Sequence, residues 1–205
     1  MFKSSKAFMP TYVLIALNVI VYAFTSYFSG NIIETSNDVL VNYGQYNGAI
    51  FDGEVWRLLT AMFIHASIVH LVGNMFFLLI FGLRAEGMFD IREYLLIYFL
   101  SGFAGGLLSL VLGPFVVSVG ASGAIFGVLG ATIIYIRRAI GQSIITALLY
   151  AFFLFAINIG PNVNYAAHLG GLAVGLFVGY VLAANRRPKP ATTYEHTYQF
   201  STKSQ

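Results

Sequence analysis

Ser122 stands between glycines in Gly120-Ala121-Ser122-Gly123 and opens the apolar stretch Ala124-Ile125-Phe126-Gly127-Val128-Leu129-Gly130-Ala131. Flanking glycines permit positive φ on entry to a turn and let another backbone come close. A G-x-S-G turn feeding a helix resembles a nucleophile elbow, although the soluble-hydrolase version has a second spacing glycine and a preceding strand. The same tetrapeptide also serves as packing material, its hydroxyl bonded to a carbonyl one turn earlier. The partners available to the serine decide what chemistry is open to it. His65, His70, Asn74 and His168 lie in other uncharged stretches, and His196 lies in a polar tail. No Lys, Asp or Glu falls within those stretches, which removes a serine–lysine dyad, an aspartyl pair and a triad carboxylate. The chain has no Cys and no HExxH, and its histidines lack metal-ligand spacing, so no metal and no cofactor is called for. A serine with one histidine remains.

Composition says where these residues must sit. Across 205 residues the hydrophobic fraction is 58% and the charged fraction 9%, with mean hydropathy +0.78; soluble domains carry about 25% charge. The net charge of +3 does not imply nucleic acid, because the basic residues sit at segment ends without aromatic interleaving. No short apolar region with a cleavage site opens the chain, so the first hydrophobic segment is expected to be retained.

The uncharged runs divide into six spans of about 20 residues. Thr11–Phe28 is the first and Leu58–Leu83 the second. Tyr94–Ile136 holds two, broken at Gly113-Pro114, and Ala139–Asn185 holds two more, divided at Gly160-Pro161-Asn162-Val163-Asn164. Because backbone groups in lipid must be satisfied internally, the fold class is an all-α polytopic bundle of six transmembrane helices. Residues 1–10 form an N-terminal tail, 11–185 the membrane domain and 186–205 a C-terminal tail. Of the 11 lysines and arginines only Arg57 falls opposite the tails, so both termini are expected to be cytoplasmic and the acidic Ser29–Arg57 connection outside. No internal repeat is evident, which argues against a transporter built from inverted halves.

Helix geometry then relates the polar residues. His70 and Asn74, four apart, differ by about 40° and share a face. They make either an interhelical clasp worth ~1 kcal/mol or a pair of donors aimed into a cavity. His65 lies about 140° from His70 on a continuous helix, so the two cannot converge by helix geometry alone. Gly171, Gly175 and Gly179 recur every four residues on the face that carries His168, and Gly123, Gly127 and Ala131 form a small face after Ser122. Packed together, these faces bring Ser122 to His168. A glycine packing pair with an incidental histidine fits the same spacing.

In order along the chain stand Trp56-Arg57, His65-x4-His70-x3-Asn74, Glu86, Gly120-x-Ser122-Gly123 and Ala167-His168-x2-Gly171-x3-Gly175. This succession resembles the rhomboid intramembrane serine proteases, over roughly residues 11–185. The resemblance implies Ser122 as nucleophile and His168 as general base. His70, Asn74 and the Ser122 N–H would form the oxyanion hole, His65 a structural neighbour, and Trp56-Arg57 a brace for the first loop. Many bacterial rhomboids carry a tyrosine four residues after the nucleophile, stacked on the histidine; here Phe126 keeps the ring and lacks the hydroxyl. The expected substrates are transmembrane helices of other membrane proteins, cut near the outer face of a prokaryotic plasma membrane. The competing reading is an inactive relative that escorts membrane proteins, although such relatives lack the serine or the histidine.

Overall fold

The computed structural model describes residues 10–140, 145 and 163–184. Its helices are α1 (Pro10–Ser29), α2 (Asn37–Tyr43), α3 (Asn47–Phe51), α4 (Arg57–Thr60), α5 (Ile68–Glu86), α6 (Ile91–Ser109), α7 (Ser122–Ile140) and α8 (Tyr165–Ala184). Two-residue strands β1 (Gln45–Tyr46) and β2 (Val117–Ser118) pair antiparallel, Gln45 opposite Ser118. Four helical stretches are long and apolar enough to cross a membrane, namely α1, α5, α6 with its 3-10 extension to Leu112, and α8. The fifth expected span, between Arg138 and Gly160, lies almost wholly outside the described residues, as do residues 1–9 and 185–205.

α7 is the centre of the bundle. From Gly123 to Thr132 every residue is buried, as expected of a helix that is apolar all round. α8 packs along one side of it, α5 and α6 along others, and α1 lies outside against α5. At one end of the bundle the Thr11 N–H donates to Glu86 Oε1 at 2.7 Å and Thr11 Oγ1 meets the Tyr94 hydroxyl at 3.0 Å. Glu86 thus satisfies a first-turn amide of α1 that the helix itself leaves unpaired.

The span boundaries differ from the sequence expectation: α5 runs to Glu86, past Leu83, and α7 runs from Ser122 to Ile140, past Arg137 and Arg138. The second span starts at Ile68, not Leu58, because Ser67 is extended (φ −157°, ψ 164°) and its Oγ accepts the His70 N–H at 3.1 Å, a helix N-cap. Residues 57–63 form a short helical turn of their own, and Thr35 ties down the segment between, its N–H reaching Ala66 O at 2.9 Å and its hydroxyl His65 O at 2.7 Å. The third span starts at Ile91 rather than Tyr94, since Asp90 and Glu93 close a reciprocal capping box. Charges at a helix start, absent from an apolar run, belong to the helix all the same.

Candidate active site

The seam between α7 and α8 is made of backbone. A Cβ on Gly171 would collide with the Gly123 carbonyl, one on Gly175 with the Gly127 carbonyl, and one on Gly179 with Ala131 Cα. Only hydrogen side chains allow this approach, so the two small faces read from the sequence meet. At the open end of the seam Ser122 Oγ lies 2.7 Å from His168 Nε2. The His168 ring stacks on Phe126, centroids 4.6 Å apart and planes inclined 25°. Phe126, one turn after Ser122, gives the imidazole a flat wall in place of a carboxylate.

Ser122 sits well inside the bundle. Its neighbour Gly123 lies against Gly102, two turns in from the Ser109 end of α6 and so roughly 10 Å deep at 1.5 Å per residue. The chain reaches this depth because residues 110–121 fold inward. Gly113 and Gly120 turn at φ 97° and 114°, in the left-handed region that glycine adopts without strain. The Gly120 N–H donates to Ala61 O at 2.9 Å, and β2 leans on β1. From the first connection, Gln45 Nε2 donates to Gly106 O (2.9 Å), while Asn47 Nδ2 donates to Ser109 O (3.0 Å) and Gly113 O (2.8 Å). The sequence reading missed both residues; their amides were indistinguishable there from solvated loop groups.

A cavity of about 560 Å³ opens above the serine, lined among others by His70, Asn74, Ser122 and His168 and, among the described residues, by no Asp, Glu, Lys or Arg. His70 and Asn74 project from one face of α5 onto Gly120, where a Cβ would strike the His70 ring at 2.8 Å and Asn74 Nδ2 at 3.4 Å. Asn74 Nδ2 is buried and, among the described residues, meets no acceptor. An amide donor left open beside a serine hydroxyl can serve an oxygen that becomes charged there. The N-termini of α5, α7 and α8 all border the cavity, and their partial positive charge favours an anion in it.

His65 is placed differently from the geometry of a continuous helix. It precedes α5, in the segment closed by the Ser67 cap, and its buried ring meets His70 edge to face with centroids 5.1 Å apart. The two histidines therefore do converge, because the backbone between them is extended at Ser67. Trp56 and Arg57 stand away from the serine. Arg57 Nη1 donates to Val41 O (2.8 Å), Asn42 O (2.9 Å) and Gly44 O (2.9 Å), Nε pairs with Glu54 at 2.8 Å, and the guanidinium lies 4.8 Å from the Trp56 ring centre. These contacts gather the first connection into one body.

Residues 52–185 match the family model described as the rhomboid domain. Among curated proteins the chain is 44% identical over 135 residues to RHOMBOID-like protein 6, mitochondrial, of Arabidopsis thaliana, covering 63% of this chain and 44% of that one. It is 36% identical over 182 residues to the rhomboid protease GluP of Bacillus subtilis (strain 168), covering 84% and 34% respectively. With the Rhomboid-like protease 3 of Toxoplasma gondii it shares 30% over 166 residues, covering 77% and 63%. The chain thus spans less than two thirds of the length of each. These relatives come from a plant, a bacterium and a parasite, and the first bears a mitochondrial name, so the expectation of a prokaryotic plasma membrane gains no support from them.

Proposed function

The chain belongs to the rhomboid family, and from that premise we propose that it is a serine endopeptidase that cuts transmembrane helices within the membrane. The observation that carries the reading is the 2.7 Å contact between Ser122 Oγ and His168 Nε2 beneath a cavity. It is supported by family relatives that are named proteases in Bacillus and Toxoplasma.

In the proposed reaction His168 Nε2 takes the proton of Ser122 as the oxygen attacks a peptide carbonyl, and later returns it to the leaving amine. Water then attacks the acyl-enzyme by the same route and frees the second product. His70, Asn74 and the Ser122 N–H stabilise the tetrahedral oxyanion, each donor typically worth ~10²–10³ in kcat. With no charged side chain lining the cavity among the described residues, these dipoles and the helix N-termini are what meet the negative charge. A substrate helix must unwind locally, because an intact helix hides its carbonyl from a nucleophile. Both termini are cytoplasmic in this reading, and the cut falls near the opposite face.

Labelling of the purified protein with a fluorophosphonate tests the assignment. Covalent label on the wild type and none on Ser122→Ala is expected. Label that persists in Ser122→Ala overturns it, and a wild type that never labels leaves the escort reading in its place.

A further inference from the structure

At the rim of the cavity a polar cluster touches neither reacting group. Asn164 Oδ1 accepts the Ala167 N–H at 3.0 Å, and its backbone carbonyl accepts the His168 N–H at 3.3 Å. Its amide donates to Ser109 Oγ and to Ser118 Oγ, each at 2.5 Å, and these two buried hydroxyls are 2.8 Å apart. Asn164 therefore uses its oxygen to start α8 and its nitrogen to reach two other segments. Ser109 ends α6, and Ser118 lies in β2, four residues before Ser122 just as Asn164 lies four before His168.

We infer that Asn164 is the positioning residue of the dyad, one amide that fastens the start of the base-bearing helix to the segment delivering the nucleophile. The inference rests on the protease reading above. The glycine seam fixes how closely α7 and α8 approach, yet van der Waals contact has no direction, so it leaves sliding and rotation about the seam weakly opposed. Ser122 and His168 stand at the open end of that seam, where such motion is largest. Hydrogen bonds have preferred angles, and a side chain bonded at both ends removes the remaining freedom. Asparagine supplies an acceptor and two donors in one plane, which matches one capped amide and two hydroxyls.

Three replacements separate helix capping from the clasp. Asn164→Ser keeps an oxygen that caps well but has no amide donors. Asn164→Asp keeps the cap and can accept from both hydroxyls, restoring the clasp with its hydrogen bonds reversed. Ser118→Ala removes one partner without touching α8. On the full chain in detergent, Asn164→Ser is expected to slow both fluorophosphonate labelling of Ser122 and kcat on a single-span reporter by roughly 10–100-fold. KM should stay within about threefold, since the loss is in the reacting geometry rather than in binding. Ser118→Ala should slow both rates less, and added to Asn164→Ser it should cost nothing further. Asn164→Asp should recover most of the activity, which a purely capping role could not distinguish from serine. Thermal unfolding identifies any variant that has lost its fold, and Ser118→Ala then carries the test. Wild-type labelling and cleavage by Asn164→Ser, in a protein whose wild type labels, overturns the clasp alone. A wild type that never labels overturns the protease reading and the clasp together.

Discussion

Gly171→Ala adds one carbon where the α7–α8 seam is backbone against backbone, at the level next to the dyad. That carbon falls on the Gly123 carbonyl, a backbone atom that no rotamer change can move. Restoring an ordinary separation of roughly 3.5 Å requires the helices to part by on the order of 1 Å at this level. Ser122 precedes Gly123 and His168 lies one turn before Gly171, so the parting is transmitted directly to the 2.7 Å contact between them. Overpacking of this kind costs ~1–3 kcal/mol, which a bundle of this size survives, whereas a 1 Å misplacement costs ~10²-fold in rate. The expected product is a folded protein that labels at Ser122 and cleaves about a hundredfold more slowly. Gly179→Ala provides the contrast: its Cβ would press on Ala131 Cα and Ile134 Cγ2, three turns from His168, so it should lower the unfolding temperature while sparing more activity. Leu169, half exposed on the lipid side of α8, should tolerate alanine. The assay is thermal unfolding in detergent beside labelling and cleavage rates of all three variants. Near-wild-type turnover by folded Gly171→Ala would refute the claim that the glycine seam sets the dyad distance.

Three further outcomes follow from other parts of the fold. His70→Ala and Asn74→Ala should each lower kcat by ~10²–10³ with KM nearly unchanged; a loss confined to KM would mean that these side chains bind helices instead. Arg57→Ala strands three loop carbonyls and should destabilise by about 2–3 kcal/mol, seen as a lower unfolding temperature and faster proteolysis at residues 37–46, and Arg57→Lys should not rescue it because one ammonium lacks the planar fork. Reporters fused to both termini should read cytoplasmic and a site at Asn42 should be modifiable from outside; an external C-terminal reporter would refute the orientation.

The parts of the site legible in the sequence were those fixed by one helix's own geometry. Gly171, Gly175 and Gly179 share a face because the helical period requires it, and their lack of side chains announces a close neighbour. His70 and Asn74 share a face for the same reason. What depended on where a helix starts was less legible. Leu58–Leu83 holds no charge, so hydropathy alone merged a short turn, a loop and α5, and His65 was set on the wrong geometry. Ser67, three residues before His70, was the available sign of the break, as Asn164, three before Ala167, was for α8. Contacts between distant loops left no sequence signal. Nothing in Gln45, Asn47 or Arg57 names the carbonyls that they hold, because those partners come together only when the bundle has formed.

Cleavage of a single-span substrate in proteoliposomes, with product masses measured, tests the central claim most directly. One cut in the substrate helix near the face opposite the termini is expected, abolished in both Ser122→Ala and His168→Ala while the substrate still binds. Cleavage surviving in Ser122→Ala, or an intact substrate beside a well-folded wild type that binds it, would contradict the account.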